Sequence, residues 1–472
     1  MAAPWVTIFT MPATASIILL AWLAVSIALF WVLPMHRAAM ACLLGGWALL
    51  PNRVYPPPAD AHNESWRIMA TALPADAFLT KAVAVGGGAL AGLLLRRPRA
   101  FAGFRPRWLD LPMALWCVCP MFNSIAGETS LAQGARDGLY LLLAWGAPYV
   151  VGRVCLVHRV AVRELAVAIV LAGLLYMPLC AVEWVAGPRL YAALYGQHPF
   201  APGGAQRYIG HRPLGLLEDG NQLGMWMSGS ALVAVWLWRC GALPRMGPFP
   251  PAAIATASFV AAVACQSVGS ILLMLAGLAA LWSARWLNPR ILLVGLLGAL
   301  GLFVIIRTSN LLSARRFAEE TAAGRWIVQV LRDSGRGSLG WRIGLDEKHV
   351  RTAVQRPLTG WGRWDWWRGG DWRPWGLWLL VLGQFGIIGL ASVHAMMLGA
   401  AVRFAFNSRP ALWREPSLGP AAALATLLVI TMLDSLLNSA VVLPVAAAAG
   451  ALAIMPLHGS DDGPDPPVHR RQ

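Results

Sequence analysis

A stretch that begins at Gln355, QRPLTGWGRWDWWRGGDWRPWGLW, alternates arginine with tryptophan in a mostly apolar chain. Guanidinium groups bind anionic oxygens in a planar fork. Indole rings either stack on sugar faces or anchor a loop at the lipid headgroup layer, and both interpretations stay open. The set comprises Arg356, Arg363, Arg368 and Arg373 with Trp361, Trp364, Trp366, Trp367, Trp372, Trp375 and Trp378. A ligand with phosphate, sugar and lipid parts would use all of these side chains.

Within PLTGWG, Gly360 and Gly362 permit a tight turn that brings the backbone close to a ligand. The preceding WRIGLDEKHVRTAVQ predicts a helix that ends before Pro357 and places Arg342, Asp346 and His349 within about two turns. An amphipathic segment upstream, LLSARRFAEETAAGRWIVQVLRDSG, is typical of a helix lying along the membrane surface.

A second polar cluster lies in RYIGHRPLGLLEDGNQLGMW, just before an apolar segment. Asp219 and Asn221 can cap the helix that begins there, and the N-terminal dipole of that helix favours an anion nearby. Capping alone would explain Asp219 and Asn221, but it does not explain Arg212. The full cluster is Arg207, His211, Arg212, Glu218, Asp219 and Asn221.

The composition indicates a polytopic membrane protein. The chain has 472 residues, of which 58% are apolar and 13% charged, whereas about a quarter are charged in soluble proteins. About 12 to 13 segments approach the length that crosses a bilayer. They are 14–34, 38–51, 77–95, 108–128, 137–152, 164–187, 221–239, 250–266, 268–284, 289–306, 375–402, 418–436 and 440–456. The first is expected to be retained, since it lacks a basic head and a cleavage site.

Six regions follow from these segments: transmembrane helices in 1–187, a first loop at 188–220, central transmembrane helices in 221–306, a second loop at 307–374, C-terminal transmembrane helices in 375–457, and a disordered cytoplasmic tail at 458–472. Short arginine-rich connections such as 96–107 are expected on the cytoplasmic side of the membrane. The first and second loops then face outwards. Because the positive-inside rule does not explain arginines in a long translocated loop, an anionic ligand or simple solvated charge remains as their reason.

Several function classes lack a signature. No P-loop, HExxH, GxSxG or aspartate-rich metal motif is present, so the sequence supports neither ATP-driven work nor a metal or other cofactor. GGGALAG at 86–92 lies inside an apolar segment and predicts a small-residue helix contact through Gly88 and Gly92. The seven cysteines lie in the spans or at their ends, which implies no disulfide framework or zinc site. No nucleic acid partner is expected.

HRPLGLLEDGNQLG before a span, WRIGLDEKHVRTAVQRPLTGWG, and then GQFGIIGL within a span resemble the O-antigen ligase and O-antigen polymerase superfamily. The resemblance covers the central and C-terminal two thirds of the chain, including PYVVGR at 148–153. It implies a metal-independent, GT-C-like membrane glycosyltransferase that takes a glycan from an undecaprenyl diphosphate donor at the periplasmic face of the bacterial inner membrane. By the same resemblance, Arg212 and Arg342 grip the diphosphate.

The chain departs from the ligase pattern at one position, because Trp375 and Gly376 stand where ligases carry a histidine and a small polar residue before GxxG. This departure favours a polymerase of exopolysaccharide or O-antigen repeat units. A ligase or O-oligosaccharyltransferase acting on lipid A core or protein, and a transporter of lipid-linked oligosaccharide, remain alternatives. Transporters typically show internal repeats and broken helices at the membrane midplane.

The expected partners are the lipid-linked donor, a glycan or lipid A core acceptor, membrane lipids, chain-length regulators and flippases. The expected catalytic residues are Arg212, Arg342, His349 and Glu347, the last two as alternative general bases. Further candidate bases are Asp346, Asp371, Asp219, Glu183 and Asp434. The expected substrate-binding residues are Arg207, Arg351, Arg356, Arg363, Asp219, Trp361 and Trp375.

Overall fold

The computed structural model describes residues 13–52, 72–75, 77–196, 198, 206, 209–309, 320–333, 337–367, 373–439 and 441–457. Helices dominate this part of the chain, and two isolated β-bridges accompany them. The helices are α1 (Ala13–Val32), α2 (Met35–Met40), α3 (Gly46–Leu49), α4 (Lys81–Arg96), α5 (Leu111–Ile125), α6 (Leu131–Leu141), α7 (Ala147–Cys155), α8 (Arg159–Ala186), α9 (Leu190–Tyr195), α10 (Gly220–Arg239), α11 (Pro251–Ala264), α12 (Val268–Ser283), α13 (Pro289–Thr308), α14 (Ala322–Asp333), α15 (Gly337–Ala353), α16 (Leu377–Asn407), α17 (Gly419–Asp434) and α18 (Val445–Leu452).

The helices fit the class of membrane protein that the composition predicts. Among the residues that the structure describes, five helical stretches are long and apolar enough to cross a membrane: α1, the continuous stretch Leu131–Cys155, α8, α13 and α16. Shorter apolar helices are α11, α12 and α17. Each of the apolar segments predicted to span carries helix. The prediction of an all-α membrane protein is therefore supported in its class, while the number of spans and the GT-C-like arrangement stay predictions.

Glycines allow close helix contacts, as the sequence predicted for GGGALAG. A Cβ at Gly88 would lie 2.6 Å from Ser26 Oγ, and one at Gly92 would lie 2.6 Å from a ring carbon of Phe30. Both neighbours belong to α1, which packs along α4. The predicted small-residue contact is confirmed, and it explains these glycines by packing alone.

Helix α10 forms the centre of the bundle. It packs against α8, α11, α12 and α17, and nearly all of its side chains are buried. Gly173 of α8 makes room for Ser230, since a Cβ there would lie 2.1 Å from the serine oxygen. This packing holds the N-terminus of α10, and with it the end of the first loop, in a fixed place.

The PLTGWG motif fills a break in α16. At Gly386 the backbone leaves the helical conformation with φ +64° and ψ −164°, a region that glycine alone adopts readily. Trp361 N donates to Gly383 O at 2.8 Å, and Ile387 N donates to Pro357 O at 2.8 Å. The freed backbone groups of the helix thus bond to the motif.

The expectation that Gly360 and Gly362 approach a ligand is therefore corrected. A Cβ at Gly360 would lie 2.6 Å from the backbone of Phe385 and Gly386, and one at Gly362 would lie 2.7 Å from the side chain of Thr129. Both glycines have positive φ and pack against protein. Their role in the structure is to seat the motif against α16.

The tryptophans of the same stretch are likewise mostly internal. Trp366, Trp367, Trp375 and Trp378 are buried, and Trp366 covers Gly383 of α16, where an added Cβ would lie 2.0 Å from its ring. Neither the headgroup belt nor sugar stacking describes these four side chains. These side chains pack in the apolar interior where the second loop meets the bundle. Trp372 lies outside the described residues.

Candidate functional site

Arg212 lies at the end of the first loop, beside the N-terminus of α10. Its Nη2 donates to Asn221 Oδ1 at 2.7 Å and to Ser267 Oγ at 3.2 Å. Gly220 lets the guanidinium lie against the first turn of the helix, because a Cβ there would be 2.5 Å from Arg212 Nε. Asp219 Oδ1 accepts from Asn221 N at 2.8 Å and Gln222 N at 2.7 Å, so the predicted helix cap is confirmed.

Arg342 comes from α15 of the second loop and reaches the far end of α17. Its Nη1 donates to Asn438 Oδ1 at 2.7 Å and to Leu437 O at 3.4 Å. Asn438 Nδ2 in turn donates to Asp434 Oδ1 at 2.8 Å. The amide therefore links the guanidinium to a buried carboxylate.

The two arginines converge on shared acids. The charge of Asp434 interacts with Arg342, Arg212 and Asp219, and Arg342 also interacts electrostatically with Asp219. The first loop and the second loop thus meet where α10 begins and α17 ends. We call this group of Arg212, Arg342, Asp219 and Asp434 the arginine site.

Trp375 supports the arginine site from the side. Its ring centroid lies 4.9 Å from Arg342 Cζ and 5.3 Å from Arg373 Cζ, within the range of cation–π attraction. Its backbone N donates to Asp346 Oδ1 at 3.1 Å. Burial raises the pKa of Asp346 to about 6, against the opposing effect of that hydrogen bond and nearby arginines. The indole of Trp375 thus lies against two guanidinium groups.

Two buried ionisable side chains meet at the first loop: Lys81, which the sequence analysis did not single out, and Glu218, which it placed in the polar cluster without a role. Lys81 at the start of α4 has no exposed surface, and its Nζ donates to Asn52 Oδ1 at 3.2 Å and Leu216 O at 3.1 Å. Glu218 is only 5% exposed and interacts electrostatically with Lys81 and Arg373. A lone lysine at the edge of an apolar segment was the available signal for the first of these.

Glu218 is poised to be neutral. Burial and, next, the neighbouring Asp219 raise the pKa of this carboxyl to about 8, although Lys81 and Arg373 oppose the shift. Its Oε1 has no hydrogen-bond partner within the part of the chain that the structure describes. At neutral pH the arginine site therefore has a protonated neighbour here in place of another anion.

Glu183, a candidate base, has a structural role in holding the first loop. Its Oε2 accepts from Leu214 N at 2.8 Å and Gly215 N at 2.6 Å, and its Oε1 accepts from Leu190 N at 3.2 Å. Three backbone donors occupy its oxygens. This carboxylate fixes the loop that carries Arg212.

The two expected general bases, His349 and Glu347, face different surroundings. His349 is buried, and its ring packs edge-on against Trp366 with centroids 6.2 Å apart. Glu347 is half-buried and interacts electrostatically with Arg307 of α13. On α15, His349 shares the buried side with Arg342 and Asp346, as their spacing predicts.

Arg356 and Trp361 form an anchor to the α5–α6 turn. Arg356 forms an ion pair with Glu128, and its Cζ lies 4.4 Å from the Trp361 ring centroid. Trp361 Nε1 donates to Thr352 O at 3.0 Å. These contacts account for both residues without a bound substrate.

The remaining predicted binding residues lie at the surface or outside the described residues. Arg363 Nε pairs with Asp365 Oδ1 at 2.9 Å, and most of the arginine side chain is exposed. Arg351 is exposed on the outer face of α15. Arg207 and the candidate base Asp371 fall outside the described residues. Of the site residues that the sequence predicts, the structure brings together Arg212, Arg342, Asp219 and Trp375.

A scan of protein-family models and a search of curated proteins found no match for this chain.

Proposed function

We propose that the protein is a membrane glycosyltransferase that polymerises undecaprenyl diphosphate-linked repeat units of an exopolysaccharide or O-antigen. The convergence of Arg212 from the first loop with Arg342 from the second loop carries the proposal. Two guanidiniums fixed by hydrogen bonds and an aromatic platform suit a diphosphate, because each can bind phosphate oxygens in a fork and keep its proton.

The arginine site offers what the leaving group requires. Negative charge grows on the diphosphate as its bond to the anomeric carbon breaks, and preorganised cations stabilise that charge without rearrangement. Hydrogen bonds to Asn221, Ser267 and Asn438 hold the two guanidiniums before the donor binds. Because the carboxyl of Glu218 is mostly neutral near pH 7, it adds no third negative charge to the two aspartates of the arginine site.

The acceptor hydroxyl also needs a base. Asp434 is the candidate that the geometry favours, because its charge interacts with both arginines and Asn438 holds its carboxylate. In the proposed step, Asp434 takes the hydroxyl proton and the acceptor oxygen bonds to the anomeric carbon. The bond from that carbon to phosphate oxygen breaks, and its electron pair leaves with undecaprenyl diphosphate.

One assay tests the function directly. Purified protein is incubated with a short lipid diphosphate-linked oligosaccharide in EDTA, and products are separated by size. A ladder of products supports polymerisation. Transfer of one unit to an added lipid A core acceptor would support the ligase alternative. The glycosyltransferase proposal is contradicted if the oligosaccharide stays unchanged.

The break in α16 is a feature that also occurs in transporters. Here Trp361 N, Gly362 N and Ile387 N join the broken segment to the PLTGWG motif by backbone hydrogen bonds. Broken helices in transporters leave such groups to bind ions or substrates. The occupied break favours a structural joint, and the enzyme remains the better proposal.

The proposed location is the bacterial inner membrane with the arginine site on the periplasmic side. A cysteine at Ser309, exposed at the end of α13, tests the orientation. In cells with a permeabilised outer membrane, an impermeant thiol reagent should label Ser309→Cys. Ser283→Cys at the opposite end of the bundle should react only after the inner membrane is lysed. Labelling of Ser283→Cys but not of Ser309→Cys from the periplasm would place the arginine site on the cytoplasmic side, away from the proposed donor.

A further inference from the structure

Three connections at the end of the bundle away from the arginine site are strongly basic. They are 236–250, 280–290 and 403–419. Glu415 is the only carboxylate among them, and it is exposed. Their arginines are Arg239, Arg245, Arg285, Arg290, Arg403, Arg409 and Arg414. Hydrogen bonds join the connections, since Trp236 Nε1 donates to Trp413 O at 3.0 Å and Arg290 Nε donates to Ala405 O at 3.2 Å.

Two of these arginines share one tryptophan. The Cζ atoms of Arg239 and Arg414 lie 5.3 Å and 5.8 Å from the ring centroid of Trp282, within the range of cation–π attraction. Arg414 Nη2 also donates to Trp282 O at 3.0 Å, which holds this guanidinium beside the indole. Arg239 and Trp282 are exposed. We call these three residues the basic patch, and its two like charges favour the binding of an anion.

An apolar cavity begins beside the basic patch. It has a volume of about 110 Å³, and its walls come from α12, α13, α16 and α17. Leu281 and Trp413 line it, and they are the chain neighbours of Trp282 and Arg414. Leu292 of α13 also lines it and is 41% exposed, so the cavity can be reached from the outer surface of the bundle. Its hydrocarbon lining suits part of an acyl chain.

Further indoles mark the depth of the basic patch in the membrane. Trp238 and Trp286 are exposed, and Arg285 Cζ lies 5.0 Å from the Trp286 ring centroid. Exposed tryptophans at the ends of apolar helices are typical of the layer where a bilayer meets water. The basic patch therefore lies at the level of lipid headgroups, and the neighbouring cavity lies at the level of acyl chains.

We propose that the basic patch and the cavity together bind one anionic phospholipid. The two guanidiniums bind the phosphodiester and the net negative charge of the headgroup, and an acyl chain enters the cavity. A zwitterionic phospholipid carries its own ammonium group, so it gains less from two nearby cations. Basic pockets between transmembrane helices bind anionic headgroups in the same way.

This lipid site is separate from the arginine site. Helix α10 begins at the arginine site with Gly220 and ends at the basic patch with Arg239. Its 20 residues put about 30 Å between the two sites at about 1.5 Å per residue. The lipid would join the ends of α10, α12 and α17 by neutralising arginines that these elements bring together.

A photo-cross-link at Leu292 identifies the lipid in the cavity. Full-length protein with a benzophenone amino acid at this position is placed in nanodiscs of equal parts phosphatidylglycerol and phosphatidylcholine with identical acyl chains. Mass spectrometry counts the adducts, and we expect those of phosphatidylglycerol to exceed those of phosphatidylcholine fivefold or more. A benzophenone at Val294, which is exposed and does not line the cavity, should give nearly equal yields. Equal yields at Leu292 would overturn the inference.

Charge variants connect that preference to the basic patch. Arg239→Gln removes one cation and should lower the adduct ratio at Leu292 to twofold or less, whereas Arg239→Lys keeps the charge and should retain most of the preference. Arg99→Gln is the matched control, because Arg99 is an exposed arginine of another basic connection, 96–107. It should leave the ratio unchanged. An equal decrease in Arg99→Gln would contradict a specific site at the basic patch.

Inorganic phosphate distinguishes a lipid site from a site for any phosphate. In millimolar phosphate at constant ionic strength, the adduct ratio at Leu292 should persist, because the acyl chain in the cavity adds to the binding of the headgroup. Loss of the ratio would assign the basic patch to free phosphate and overturn the inference. Since the measurement is an adduct, it stands whether or not the protein transfers glycans.

Discussion

Arg342 and Arg356 both belong to the second loop, yet they meet different kinds of partner. Arg342 bonds to Asn438 and shares the charges of Asp219 and Asp434 with an arginine of the first loop. Arg356 pairs with one carboxylate of the α5–α6 turn. Arg212 and Arg342 come from separate elements and share two acids, an arrangement that suits the binding of an anion. Arg356 is paired with one acid and holds a loop in position.

The largest expected effect comes from removing either arginine of the arginine site. Arg212→Ala and Arg342→Ala should each lower transfer a hundredfold or more, since the loss of one preorganised donor costs about 3 to 4 kcal/mol in the transition state. Arg363→Ala, which removes an exposed arginine paired with Asp365, should keep near wild-type rates. The measurement is the initial rate of product-ladder formation.

Lysine variants sharpen this first prediction. Arg212→Lys and Arg342→Lys keep the charge but lose the planar fork, so they should recover little activity. Equal membrane insertion and equal thermal stability of all variants provide the control. Near-normal turnover in both alanine variants would end the assignment of the diphosphate to the arginine site.

The sequence gives a good account of the helices and a partial one of the site. Apolar segment length predicts where helices lie, because hydrocarbon burial acts locally along the chain. The types and neighbours of Arg212, Arg342 and Asp219 also mark them as candidates. Whether an arginine meets one acid or several depends on which loops the bundle brings together, and local spacing does not contain that information.

The tryptophan-rich stretch also shows that local sequence does not predict the tertiary surroundings of a residue. Its composition suggests a ligand surface, but Trp366 and Trp378 are buried against α16 and α13. Lys81 is the opposite case, a single lysine in an apolar segment that the sequence analysis did not single out. Tertiary packing alone brings it into contact with the first loop. Residue type predicts which chemistry a side chain can perform, whereas the fold determines where in the molecule that side chain lies.

The second largest effect should come from Gly386, where the tryptophan stretch joins α16. Gly386→Ala would place a Cβ 2.1 Å from Leu358 O in a backbone conformation that alanine resists. We expect a loss of stability of about 1 to 3 kcal/mol. Gly295→Ala is the control, since nothing lies within 4 Å of a Cβ there. Equal melting temperatures for the two variants would contradict the proposal that Gly386 lets the PLTGWG motif pack into the break in α16.

A smaller effect is expected at Trp375, which links the two regions. Trp375→His removes the indole beneath Arg342 and Arg373, so transfer should fall about tenfold, the value of one or two cation–π contacts. Trp375→Phe keeps an aromatic face and should retain most of the activity. Faster transfer in Trp375→His would instead indicate that a histidine at this position does ligase-type chemistry.

The smallest effect concerns pH and Glu218. The pKa of this carboxyl is raised to about 8 by burial, from about 4.3 in an exposed glutamate. It is therefore mostly neutral at pH 7 and gains negative charge as the pH rises through 8. That charge lies beside Asp219 of the arginine site and also interacts with Lys81 and Arg373, so it opposes the binding of another anion.

The affinity of the wild type for inorganic diphosphate should fall by about tenfold or less between pH 7 and pH 9, given a Coulomb energy of about 1 to 2 kcal/mol across 10 Å of protein. Glu218→Gln stays neutral, so it should show a smaller decrease, and the ionisation of the ligand itself cancels in the comparison. Folding stability changes in the same direction, because a carboxyl whose pKa is raised in the folded state loses its stabilising contribution as the pH rises from about 4.3 towards 8. Glu415→Gln, at an exposed position, controls for the loss of a carboxylate. Parallel pH profiles for wild type and Glu218→Gln would show that Glu218 does not act on the arginine site.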